Sequence, residues 1–260
     1  MELRRKGALL ERMPRAELPF AALERLLREL PIQFALLVGP EKNLRLNRLE
    51  VLACVEQGAE NRVSTALAEL GRQQNIRIDA LGITVFEFLS FLSKAEHNPI
   101  QEMVADGIAL FGPQSFWATI AEAEAAGRHA RVAEPIDPAR MSRPDLVYNL
   151  GRFGFPLLGG ATRGKAVCIE LTVTAALIRR EARLHAGAAA VLSKTAFHPR
   201  VLAFLATKHG TEKALGGLLT RRSASPHFKE LRALVREAQT ASTRSGRSSL
   251  RRTLEAYNAA

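Results

Sequence analysis

The stretch that decides the fold runs from Ile83 to Trp117 and reads ITVFEFLSFLSKAEHNPIQEMVADGIALFGPQSFW. Its pattern predicts a helix, a break at Asn98-Pro99, a second helix through Asp106, and a short strand over Ile108–Phe111 closed by Gly112-Pro113. Phe86, Phe88, Leu89, Phe91 and Leu92 recur near the 3.6-residue period and give the first helix a broad apolar face. Gly107 follows the second helix where a left-handed C-terminal residue is expected.

Working outward, Ile32–Val38 (IQFALLV) and Leu49–Val55 (LEVLACV) are short apolar runs of the kind buried strands give, separated by the polar loop or hairpin EKNLRLNR. Asn61–Leu70 reads as a helix and Arg77–Ile83 as a third strand. Residues 3–30 carry leucines at helical spacing, and Pro31 ends them. Downstream, Ala121–Val132 reads as a helix, and three prolines within Glu134–Pro144 mark a boundary. Beyond it Leu146–Phe155, Val167–Leu192, Pro199–Lys208 and Phe228–Thr240 look helical, with turns expected at Gly159-Gly160 and Gly216-Gly217. The expected organisation is amphipathic helices over 1–30, an α/β domain with a mixed sheet over 31–133, and a linker over 134–144. A basic all-α bundle over 145–240 and a Ser/Arg-rich tail over 241–260 complete it.

The segment from Asn98 to Gly112, NPIQEMVADGIALFG, matches a "pxxxEilxeGixLyG" pattern and follows a strand, a threonine and a helix. In that order it resembles the carboxyl-terminal part of the minimal nucleotidyltransferase domain. The resemblance implies an α+β mixed sheet, a Gly-Ser nucleotide-binding loop after the first strand, a D-x-D pair on the next strand, and a third carboxylate later. Such carboxylates must converge because two divalent ions ~3.5–4 Å apart neutralise the triphosphate and activate the attacking hydroxyl. Carried onto this chain, Gly39 is the nucleotide-binding candidate, while Pro40 replaces the serine and removes a backbone donor. Where the family reads S-D-x-D-L, this chain reads Asn47-Arg48-Leu49-Glu50-Val51. Glu50 takes the second carboxylate position, Arg48 the first, and Asp79 the third, so Glu50 and Asp79 are the catalytic candidates. A guanidinium repels a metal ion and does not lose its charge. The expectation is therefore the fold with a degenerate active site, no metal ligand set and no cofactor, Mg2+ being required only if activity survives. Glu50 and Asp79 read otherwise as surface residues, or as residues ion-paired with Arg48 or Arg77.

Two further patterns have simpler structural readings. Residues 159–165 spell G-x-x-x-x-G-K, but Ala166 stands where Ser or Thr would reach magnesium, so a Gly-rich turn is expected. Arg180 to His185 satisfies the R-x4-6-H pattern of the HEPN family of helical RNases, although the density of arginine makes a solvated helix face the simpler reading. His97, His198, His209 and His227 show no zinc-site spacing. Cys54 and Cys168 lie far apart inside apolar runs and read as buried thiols of a reducing compartment.

Charge is divided unevenly. Residues 1–134 hold 16 Lys+Arg against 18 Asp+Glu, a net of −2, whereas 135–260 hold 21 against 8, a net of +13. This asymmetry points to a polyanion, most simply nucleic acid. The candidate phosphate contacts are Arg179, Arg180 and Arg183 on one helical stretch, then Arg221, Arg222, Lys229, Arg244, Arg247, Arg251 and Arg252. Few aromatics accompany them, so backbone-led binding of structured RNA or duplex DNA is expected rather than base stacking. The start of the chain shows no signal peptide, and no apolar run reaches the roughly 18 residues of a membrane span. A cytoplasmic, nucleic-acid-associated regulator, antitoxin or complex component is the leading expectation. An Mg2+-dependent nucleotidyltransferase modifying RNA or a protein partner, and a structural subunit of a ribonucleoprotein, remain as alternatives.

Overall fold

A computed structural model describes residues 17–39, 48–156, 163–219 and 226–240. The chain divides into two compact units, one built from the region up to Arg140 together with Ala166–Cys168, the other from Met141–Lys165 and the chain from Ile169 onward.

In the first unit, helix α1 (Glu17–Glu29) leads into β1 (Ile32–Val38), β2 (Arg48–Val55), α2 (Glu60–Gln73) and β3 (Arg77–Thr84). Helices α3 (Val85–Ser93) and α4 (Pro99–Ala105), strand β4 (Gly107–Phe111) and α5 (Pro113–Ala125) follow. The four strands form one mixed sheet in the order β3-β2-β1-β4. β1 runs antiparallel to both β2 and β4, and β2 runs parallel to β3. Both faces are covered, which is why the strands read as continuous apolar runs instead of alternating ones. On one face Leu23 and Leu27 of α1 and Val63 and Leu67 of α2 pack on Leu37 and Val51. Alternation turns Phe34 to the other face, where its ring meets Phe88 of α3 at 5.2 Å and Phe116 of α5 at 5.4 Å, both edge-on.

The 83–117 stretch folds for identifiable local reasons. Thr84 ends β3 and caps α3 reciprocally: its hydroxyl accepts from Glu87 N–H at 3.2 Å, and the Glu87 carboxylate accepts from Thr84 N–H at 2.8 Å. Asn98 caps α4 by accepting from Ile100 and Gln101 N–H, both at 3.1 Å, with Pro99 at the first helical position. Gly107 does not end α4 in a left-handed turn as expected. It opens β4 opposite Val38, where a Cβ would meet the Met103 carbonyl oxygen and Leu36. The left-handed glycine is Gly112, at φ 58°, where the chain passes against the Gln33 carbonyl and turns into α5. The helix expected over Ala121–Val132 lies earlier, at Pro113–Ala125, because Pro113 starts it and Gly127, at φ 73°, closes it. Phe86, expected on the apolar face of α3, is 74 % exposed, while Phe88, Phe91 and Leu92 are buried.

The second unit contains α6 (Arg143–Arg152), α7 (Ile169–Ile178), α8 (Ala182–Lys194), α9 (Pro199–His209), α10 (Glu212–Leu219) and α11 (226–240). α7 is buried all round over Ile169–Leu177, Glu170, Thr172 and Thr174 included, with α6, α8 and α9 packed against it. The single helix expected over Val167–Leu192 is two helices broken at Arg180, which adopts φ 54°. Gly216 and Gly217 lie inside α10 rather than in a turn. Among the described residues no helix is long and apolar enough to cross a membrane.

Candidate functional site

β2 and β3 are in parallel register with Glu50 opposite Asp79, and Arg48 opposite Arg77. Paired positions on neighbouring strands point to the same face, so these four side chains share the face that carries Phe34. Val38 pairs with both Glu50 and Gly107, which brings Gly39 to the same end of the sheet. The candidates Gly39, Glu50 and Asp79 are thus gathered in space from three strands.

The carboxylates are buried, Glu50 being 2 % and Asp79 6 % exposed. Arg48 lies between them, with Nε 2.5 Å from Asp79 Oδ2 and Nη2 3.5 Å from Glu50 Oε1. Arg77 Nε donates to the other oxygen of Asp79, Oδ1, at 3.0 Å. The Arg48 contacts are ion pairs by distance but not aligned hydrogen bonds, since Arg48 Nε and Nη2 and Asp79 Oδ2 have no hydrogen-bond partner. Two carboxylates and two guanidinium groups leave the quartet neutral. Removing either sign alone would strand a buried charge, which is strongly unfavourable.

This arrangement does not fit a divalent metal. A permanently charged guanidinium stands against an oxygen that would have to ligate the ion, and among the described residues two carboxylates converge where two-metal chemistry needs more. No group of three or more His, Cys, Asp or Glu suited to a metal occurs among the described residues. Gly39, at φ 50°, donates its N–H to the Asp106 carbonyl at 3.2 Å, so that amide is already committed. Pro40 and Asn47 lie outside the described residues.

Sequence reasoning missed a second polar cluster in this unit. His97 Nε2 lies 2.6 Å from Glu102 Oε1, both side chains being buried, and the same oxygen accepts from Ile136 N–H at 2.9 Å. His97 also exchanges backbone bonds with Ala166 and Cys168, at 3.2 and 2.9 Å. The cluster ties the segment after α5 and the return at 166–168 to α4. The available signal was a buried-type Asn-Pro cap with His before it and Glu inside the helix, a five-residue spacing that matches no catalytic motif. Both cysteines are free and buried, and burial, reinforced by the charge of Glu87, pushes the Cys54 thiol up, leaving it inert.

In the second unit the basic candidates separate by role. Arg179 is not on a shared helix face with Arg180 and Arg183, because α7 has ended: its Nη2 donates to the Met141 carbonyl. Arg232 Nε donates to the Leu219 carbonyl at 3.1 Å, and Arg200 pairs with Glu230 at 3.0 Å. Arg180, Arg183 and Lys229 are exposed. Arg221, Arg222, Arg244, Arg247, Arg251 and Arg252 lie outside the described residues.

The weaker patterns have structural explanations. In the G-x-x-x-x-G-K run, Lys165 N–H donates to Asp145 Oδ1 at 2.8 Å, so a carboxylate holds the place a phosphate would take. His185 Nε2 lies 3.3 Å from the Leu177 carbonyl at the end of α7, which occupies the ring edge an RNase would need free. His198 caps α9 by accepting from Val201 N–H at 3.4 Å.

No family model matches this chain, and no curated protein or solved structure matches it either.

Proposed function

We propose that this protein is a nucleic-acid-associated, non-catalytic protein, in which a nucleotidyltransferase-like sheet unit without metal chemistry is joined to a basic helical unit that binds phosphate backbones. The observation that carries the non-catalytic half is the Arg48 guanidinium set between Asp79 and Glu50. It sets a fixed positive charge against the two carboxylates inside the fold, and unlike a metal ion it cannot take a carboxylate, a water and a hydroxyl as ligands and activate the attacking oxygen. The mixed sheet with Glu50 and Asp79 in register, and the Thr84-capped helix followed by the Asn98–Gly112 segment, support the resemblance to the minimal nucleotidyltransferase family.

The nucleic-acid half rests on the net of +13 over residues 135–260 and on the exposed cations of the second unit. Neutralising about four to six phosphates makes log affinity fall against log salt with a slope of roughly −3 to −5. The test is fluorescence anisotropy of the full chain with duplex DNA and structured RNA across a salt series, alongside incubation with labelled NTPs and cellular RNA or protein. Salt-sensitive binding without label transfer is expected. Transfer that disappears on Glu50→Gln or Asp79→Asn establishes the enzyme instead. Absence of binding at low salt leaves the protein-docking subunit.

A further inference from the structure

The join between α7 and α8 is only Arg179-Arg180-Glu181, and its middle residue sits at φ 54°. A non-glycine residue in the left-handed region is energetically unfavourable and persists only where the surroundings enforce it. Here the enforcing contacts are visible on both sides. Arg179 Nη2 is tied to the Met141 carbonyl. Arg143 Nη1 donates to both oxygens of Glu181, at 3.0 and 2.9 Å. Arg180 N–H closes the turn on the Leu177 carbonyl at 3.4 Å, and His185 N–H closes the next on Glu181 at 3.0 Å. His185 Nε2 reaches the same Leu177 carbonyl from α8.

With both neighbours anchored, Arg180 is held in a fixed place, and its side chain is exposed. Arg183, three residues on in the first turn of α8, is exposed as well. Among the described residues neither side chain makes a hydrogen bond or an ion pair. The one acid of the elbow, Glu181, already has its partner in Arg143. The elbow therefore presents two exposed, uncompensated guanidinium groups on a braced backbone. Planar five-donor groups without acids beside them suit phosphate oxygens.

Building on the nucleic-acid reading above, we infer that the Arg180–Arg183 elbow is a phosphodiester-binding site, in which the left-handed conformation of Arg180 serves to aim its guanidinium at the backbone. The R-x4-H pattern that begins at Arg180 then resolves into a phosphate contact followed by a bracing histidine, with no cleavage chemistry.

The strain makes the site separable from stability. Arg180→Gly removes the guanidinium and suits the left-handed turn, so the melting temperature should hold or rise by up to about 2–4 °C. Affinity of the full chain for duplex DNA and structured RNA should nonetheless fall about five- to tenfold at low salt, and the salt slope should flatten by about one. Arg183→Ala should act alike, and Arg180→Lys, which keeps the charge, should retain most of the affinity. Unchanged affinity and slope in the Arg180→Gly/Arg183→Ala double variant would overturn the elbow while leaving nucleic-acid binding intact. A second arm titrates inorganic pyrophosphate and follows the arginine Nε–Hε resonances. Pyrophosphate bound by the unaltered protein but not by Arg180→Gly, with no nucleic acid bound, keeps the elbow and rejects the nucleic-acid reading. Binding of neither rejects both.

Discussion

The Glu50–Asp79 quartet and the Arg180 elbow use the same residue type to opposite ends. In the sheet unit Arg48 is directed onto two carboxylates that are 2 % and 6 % exposed, and its charge is consumed by theirs. In the helical unit Arg180 and Arg183 stand exposed, and the neighbouring acid is engaged elsewhere. A buried carboxylate without a cation would pay several kcal/mol in desolvation, so Arg48 is structural whatever else it does. An exposed arginine bears no such obligation, contributes little to stability through surface pairing, and is available to a ligand. Net charge alone does not separate the two; burial does. Even within the basic half, Arg179, Arg200 and Arg232 belong with Arg48.

The comparison breaks first, and most visibly, at Arg48. Arg48→Met takes the guanidinium from between two buried carboxylates and should cost about 3–5 kcal/mol in urea unfolding. Arg48→Met combined with Glu50→Gln and Asp79→Asn removes the stranded charges and should recover part of that loss. A single-variant cost under about 1 kcal/mol would mean the quartet is solvated and behaves like the surface pairs.

A smaller effect sharpens the neutral part of the same unit. Asn98 caps α4 and donates to the Phe91 and Glu96 carbonyls at 2.9 and 3.1 Å while fully buried. Asn98→Ala should cost about 2 kcal/mol, combining a lost cap with unsatisfied buried groups. Asn98→Ser should restore the cap but not the two donated bonds, giving an intermediate midpoint. Equal midpoints for the two variants would show that the cap contributes nothing.

Much of the sheet unit was legible in the chain, and the reason is local. β1 coincides with the apolar run Ile32–Val38, because Pro31 and Gly39 punctuate it. The Asn98-Pro99 signal gave α4 its start, since cap and proline act within three residues. The break between α7 and α8 was not legible. Arg179-Arg180-Glu181 holds no glycine or proline, and it bends because Met141 and Arg143, distant in sequence, grip its flanks. Gly216-Gly217 failed the opposite way: turn-forming residues remain helical in α10, where Leu215 and Leu219 are buried. The quartet was half legible. Position gave Glu50 and Asp79, but only the parallel register shows that Arg48 reaches across to Asp79 instead of lying beside Glu50 alone.

The smallest effect tests the exposed side of the comparison through a carboxylate. Asp145 accepts from the Ser142 hydroxyl at 2.6 Å and from Lys165 N–H at 2.8 Å. The Ser142 bond first, then the Lys165 backbone bond, hold its pKa below the usual carboxylate value, against a smaller opposing push from burial. Because the folded-state pKa is depressed, the stabilisation is complete above the unfolded value and disappears as pH falls through the folded one. After allowance for solvent screening it should amount to about 0.5 kcal/mol. Asp145→Asn abolishes this titration, so urea midpoints of the unaltered protein and the variant should differ slightly at pH 7 and converge toward pH 2. A gap that stays constant or widens on acidification would show that the Asp145 charge gains nothing from the Ser142 and Lys165 bonds, since a carboxylate stabilised in its ionised form must lose that advantage as it protonates.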